Sequence, residues 1–309
     1  VRMSNIDLKT RLGKLVLDNP IVVASGTFGS SDEYLRYTDF NRIGAIITKS
    51  VTLKERRGNP APRIWETSAG MLNAIGLENK GIDHFIANNV PFFKDFRTRL
   101  VVSIAGNTPQ EYASIAERLA GVERVDALEI NISCPNVKKG GVAFIKDARQ
   151  SAGLVEKVRA VFPKPVFVKI SPEAADMSAL VRGLIKAGAD GLNLINTVKA
   201  MAVDAETCRP RLGNVTGGLS GPAIKPIALR YVYEVKQQFD IPVIGGGGIF
   251  ALADLLEFLI VGADAVSLGT ANFVNPRISN QLADELSDYC REKGITSLAK
   301  IRGCLQVNN

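Results

Sequence analysis

Short apolar runs alternate with longer amphipathic stretches along this chain. Eight runs stand out: PIVVA at 20–24, AIIT at 45–48, LVVSI at 100–104, ALEI at 127–130, PVFVK at 165–169, GLNLI at 191–195, PVI at 242–244 and AVSL at 265–268. Parallel strands covered on both faces carry such near-continuous runs, because neither side of the pleat meets water. The stretches between them predict helices over 108–120, 172–187, 222–239 and 251–261. The first opens on Thr108-Pro109, a capping residue followed by the Pro that a first helical turn tolerates. The second is bracketed by Ser171-Pro172 and Gly188, a start and stop pair. KAGADGLNL and IVGADAVSL share one order: helix end, Gly, Ala-Asp, apolar strand. That echo fits a repeated β-α unit. Eight such units in 309 residues predict a (β/α)8 TIM barrel, with a doubly wound open sheet as the alternative.

Two segments, 50–98 and 197–219, exceed ordinary connections and are expected as long loops over the C-terminal mouth of the barrel. LKTRLGKLVL, at 8–17, alternates around a central Gly and predicts a short N-terminal hairpin below the barrel. No linker or low-complexity run interrupts 1–309, so one domain is expected.

Composition narrows the class. An apolar share of 46% excludes disorder, and no apolar run approaches the roughly 20 residues of a membrane span. The first residues lack the apolar core of a signal peptide. The four cysteines, at 134, 208, 290 and 304, are too scattered for a disulfide scaffold or a zinc site. A cytoplasmic protein with no membrane contact and no metal is expected. The net charge of +7 and pI near 9.2 raise the question of nucleic acid. The basic clusters are short (Lys54, Arg56 and Arg57; Lys138 and Lys139) and carry no interleaved aromatics, so an anionic small ligand fits better.

Candidate chemistry sits at the strand ends. Lys49 and Lys169 close two different apolar runs, Asn131 follows a third, and Asn196 with Thr197 follows a fourth. Two ammonium groups in one mouth imply an anionic ligand or a charge that develops during reaction. Glycines at 245–248 and Gly269-Thr270 follow the seventh and eighth runs, where barrel proteins bind phosphate. Spacing alone leaves open a substrate phosphate or a flavin mononucleotide tail. Cys134, in NISCPN, lies in a polar loop near the lysines. Its residue types allow a reactive thiol or a buried structural one. His84 is the only histidine and has no strand-end partner, which excludes a Ser-His-Asp hydrolase.

ITKSVT, NAIGLEN, NISCPN, VKISP, NTVKAM, GGLSGPAIKP, IGGGGI and SLGTA occur in this order between residues 47 and 271, within a likeness that runs from about residue 25 to residue 270 and beyond. In these motifs the chain resembles the class 1 dihydroorotate dehydrogenases, and in GGLSGPAIKPIALR most of all class 1B. The resemblance implies FMN in a (β/α)8 barrel, with Cys134 taking the C5 proton of dihydroorotate and the C6 hydride passing to flavin N5. It implies flavin contacts from Ser25, Lys49, Ser50, Ser103, Asn131, Lys169, Ile195, Gly221, Gly247, Gly248, Gly269 and Thr270. Substrate contacts would come from Lys49, Asn73, Ala74, Ile75, Gly76, Leu77, Asn131, Asn196 and Thr197. Ser103 stands where many relatives carry Asn, so its flavin contact would run through water. Class 1B further implies a homodimer core joined to an electron-transfer subunit with FAD and an iron–sulfur cluster, delivering electrons to NAD. The alternatives are a class 1A homodimer using fumarate, another pyrimidine or uridine reductase on the flavin barrel, and a non-catalytic phosphate-ligand barrel.

Overall fold

The computed structural model of the chain describes residues 6–28, 32–132 and 147–307. Eight parallel strands close into a barrel: β1 (Ile21–Val23), β2 (Ala45–Ile47), β3 (Arg99–Ile104), β4 (Ala127–Asn131), β5 (Val166–Ile170), β6 (Gly191–Leu194), β7 (Val243–Gly246) and β8 (Ala265–Leu268). Each strand pairs with its neighbour in sequence, and β8 pairs with β1. All eight predicted runs are therefore barrel strands, and the open sheet is excluded.

The continuous apolar runs have a simple cause. Outward residues such as Leu100, Leu128 and Val168 pack under the surrounding helices. Inward residues, among them Val22, Ala45, Val101, Ala127, Phe167, Ile244 and Ala265, fill the barrel. The predicted hairpin is present as Thr10–Leu12 paired antiparallel with Leu15–Leu17. Leu12, Leu15 and Leu17 join the inner cluster, so the hairpin stoppers the end of the barrel where the strands begin.

Three of the four predicted helices match closely, as Pro109–Ala120, Lys225–Gln238 and Leu252–Ile260. The Thr108 hydroxyl accepts from Glu111 N–H, the expected cap. The fourth, Met177–Lys186, begins five residues later than predicted from Ser171-Pro172. Ser171 Oγ accepts from Glu173 N–H in a local turn, and Asp176 supplies the real cap by accepting from Ala179 N–H. Asp147 likewise caps a helix, Ala148–Val161, which the apolar spacing of Leu154, Val155 and Val158 could have revealed. No described helix is long and apolar enough to cross a membrane.

The two long segments are more ordered than the expected loops. Each contributes two strands to one antiparallel sheet: Ile64–Thr67 and Gly70–Asn73 after β2, Val198–Met201 and Thr216–Ser220 after β6. Gly70–Asn73 pairs with Thr216–Ser220 across this sheet, which ties the two insertions together over the barrel mouth.

Candidate active site

The strand C-termini open into a cavity of about 400 Å³. Seven barrel strands feed it, and the antiparallel sheet walls one side. Ser25, Lys49, Ser50, Asn131, Lys169, Ile195, Gly221, Gly247, Gly248, Gly269 and Thr270 all line it. So do Asn73, Ile75, Gly76, Leu77, Asn196 and Thr197. Residues from nine stretches of chain thus converge where the motifs placed them. Cys134 lies outside the described residues.

Two predicted contacts do not line the cavity. Ser103 is wholly buried, and its Oγ shares a 2.9 Å hydrogen bond with Ser50 Oγ. Asn131 Nδ2 donates to the same Ser50 Oγ at 3.0 Å. Ser103 therefore stands behind Ser50 and supports it. Ala74 is also fully buried; its N–H donates to Arg63 O at 2.7 Å and its carbonyl accepts from Asn59 Nδ2 at 3.0 Å. It holds the bend that presents Asn73 and Ile75. A small apolar residue between two polar ones gives no signal of that role in sequence.

Electrostatics divide the cavity. Lys169 is only 8% exposed, yet its ammonium has no ion pair or hydrogen bond among the described residues. A buried cation is costly unless something anionic answers it. Below it, Glu129 and Asn193 point into the barrel, and Glu129 Oε2 accepts from Asn193 Nδ2 at 2.5 Å. Asn193 is the register partner of Lys169 on β5, and Glu129 Oε1 has no partner among the described residues. Sequence reading missed this buried polar layer, because ALEI and GLNLI look like ordinary apolar strands. Lys49 faces the other wall, 4.0 Å from Glu78, which Arg63 also engages at 2.7 Å. Burial pushes the Lys49 ammonium below the usual lysine range; Glu78 opposes the shift and Arg63 adds to it. Glu78 itself was quoted within NAIGLEN without a role.

The ends of β7 and β8 form the opposite pole. The N–H groups of Gly247, Gly248, Gly269 and Thr270 donate to no described residue. Four free amide donors on adjacent strand ends suit a phosphate. Gly247 and Gly248 adopt φ of +135° and +80°, which side chains rarely tolerate. Thr270 Oγ1 donates to Ser220 Oγ at 2.7 Å, a second wall hydroxyl that the motif GGLSG contained unassigned. With apolar Ile195, Ile224 and Ile249 between the poles, the donor set fits a phosphate-bearing aromatic cofactor such as FMN.

Comparison with known proteins agrees with this geometry. Residues 7–289 match the family model described as dihydroorotate dehydrogenase. The chain belongs to the dihydroorotate dehydrogenase family. It is 48% identical over 302 residues to a Desulforamulus reducens protein named dihydroorotate dehydrogenase B (NAD(+)), catalytic subunit, covering 98% of this chain and 99% of that one. Proteins of the same name from Geobacter metallireducens and Bacteroides thetaiotaomicron are 49% and 45% identical, over 99% and 97% of this chain and 100% and 99% of their own. A solved dihydroorotate dehydrogenase from Eimeria tenella, in complex with ferulenol, superposes with a TM-score of 0.81 over 98% of this chain and 90% of that one. At 21% identity, that likeness establishes the shared family fold alone.

Proposed function

We propose that this chain is the catalytic subunit of an FMN-dependent dihydroorotate dehydrogenase in pyrimidine biosynthesis, with electrons passed through a partner subunit to NAD. The observation that carries the reading is the pairing, across one cavity, of four free amide donors with a buried and unanswered ammonium. The full-length likeness to catalytic subunits of NAD-linked enzymes supports the acceptor. The reading takes 1–309 as one domain working in the cytoplasm, in a homodimer core that binds a subunit with FAD and an iron–sulfur cluster.

In this reading, Gly247, Gly248, Gly269 and Thr270 hold the FMN phosphate through their backbone N–H groups. Ser25, Ser50, Asn131, Ile195 and Gly221 border the ring, and Ser103 acts through Ser50. Bound FMN would supply a two-electron hydride acceptor for C6 of dihydroorotate. Lys169 then supplies a fixed positive charge where negative charge develops. Asn73, Asn131, Asn196 and Thr197 offer donors and acceptors to the amide edges of the pyrimidine, within the wall formed by residues 74–77. Lys49 pairs with the carboxylate. Cys134 removes the C5 proton as general base, so loss of one proton and one hydride balances the oxidation to orotate.

The purified protein should be yellow and should bleach on anaerobic addition of dihydroorotate. Cys134→Ala should keep the colour and lose about 10²–10⁴-fold in rate. Colourless wild-type protein overturns the cofactor; activity within about three-fold of wild type in the variant overturns the base.

A further inference from the structure

We propose that Gly218 is a positioning residue for the substrate end of the cavity, where its missing side chain leaves the space that Thr197 occupies. The inference rests on the reading of Thr197 and Asn73 as substrate contacts.

Gly218 sits in the strand Thr216–Ser220, paired with Asn73 on one side and Lys199 on the other. Asn73 Nδ2 donates to the Gly218 carbonyl at 3.4 Å. A Cβ at 218 would stand 2.0 Å from Thr197 Oγ1 and 2.6 Å from Thr197 Cβ. Both distances are far inside van der Waals contact. Rotating χ1 of Thr197 would move its hydroxyl and leave its Cβ in place, so the backbone itself would have to give.

The reason for glycine here is therefore specific. Gly221, three residues on, has φ of +95° and needs glycine for its conformation. Gly218 has no such φ, so alanine would fit its backbone and only Thr197 excludes it. The displacement would also travel. Thr197 N–H donates to Asn196 Oδ1 at 2.8 Å, and Asn196 N–H donates to Ile170 O at the end of β5. Asn73, Asn196 and Thr197 are thus all keyed to position 218. The phosphate pole meets this strand at a different residue: Thr270 Oγ1 donates to Ser220 Oγ, whereas the three atoms nearest a Cβ at 218 all belong to Thr197. Position 218 should tune substrate affinity separately from flavin affinity.

A double-mutant cycle on the holoenzyme tests this, with orotate affinity read from the flavin spectrum and flavin content measured alongside. Gly218→Ala should weaken orotate binding and raise KM for dihydroorotate by roughly ten- to a hundred-fold, the scale of a misplacement near 1 Å. Flavin content should stay at the wild-type ratio. Thr197→Gly removes both clashing atoms. In that background Gly218→Ala should cost no more than about two-fold, the limit for uncoupled sites. An equal loss in both backgrounds, or no loss from Gly218→Ala alone, overturns the positioning role while leaving the substrate reading intact. Unchanged orotate affinity in Thr197→Gly overturns the substrate reading, and the inference with it. If Gly218→Ala does not accumulate as folded protein, the double variant should restore yellow folded protein; failure of that rescue also overturns the role.

Discussion

At Lys49, which the proposed reading pairs with the substrate carboxylate, burial and two neighbouring charges set the response to pH. Burial lowers the ammonium's pKa, Glu78 raises it, and Arg63 lowers it. An ammonium holds a carboxylate only while protonated, so that affinity is present below its pKa and is lost as pH rises through it. Glu78→Gln removes the one neighbour that supports the charged form. Its orotate affinity should therefore begin to fall at a lower pH than in wild type. Titrating orotate across the alkaline range checks this; an unmoved or upward-shifted profile counts against Lys49 as the carboxylate partner. Gly248 teaches a different lesson at the same scale. A Cβ there would meet Lys225 Cβ at 2.8 Å and the Gly221 carbonyl at 2.9 Å. Glycine at that position is required by packing against Lys225 and Gly221 as well as by the proposed phosphate approach, so a bulky substitution tests both together.

Among the elements, the hairpin does the least expected work. Its sequence advertises a turn, and its residues become the stopper of the barrel. Leu17 is wholly buried among Val22, Ala45 and Ala127. Leu17→Ala should cost about 2–5 kcal/mol of stability by deleting buried volume at a site held by closed strands. Because the hairpin lies at the end of the barrel remote from the mouth, flavin content and KM of the folded fraction should remain at wild-type values. Denaturant unfolding paired with steady-state kinetics separates the two outcomes. The antiparallel sheet is the opposite case, since its strands serve the site directly. Asn73 comes from one insertion and Thr197 from the start of the other, and only the pairing of Gly70–Asn73 with Thr216–Ser220 places them together.

For the whole molecule, the proposed reading requires that electrons leave the flavin through a second subunit. The chain contains no cysteine cluster for an iron–sulfur centre and no GxGxxG after its first strand. Purified alone, it should oxidise dihydroorotate with artificial dyes and fail to reduce NAD. Adding a subunit that carries FAD and an iron–sulfur cluster should restore NAD reduction. Steady NAD reduction by the isolated chain overturns the two-subunit reading, and rapid turnover with fumarate moves the protein to the homodimeric class.

The sequence by itself determined the count, order and direction of the barrel strands. Burial on both faces forces near-continuous apolar runs, and that demand is local enough to read from one segment at a time. It also located the polar and glycine positions that line the mouth, because they interrupt, at the strand ends, runs that are otherwise apolar. Tertiary structure alone decided three things. It set Ser103 behind Ser50 and joined Glu129 to Asn193 beneath Lys169, because the inner face of a barrel is composed of residues from different strands. It turned two apparent loops into one sheet, whose strands, IWET, GMLN, VKAM and TGGLS, are too short to show the alternation that marks a half-exposed strand. It also made Gly218 the neighbour of both Asn73 and Thr197. Periodicity reports how a residue meets its own strand or helix, whereas these contacts depend on which distant segment closes against it.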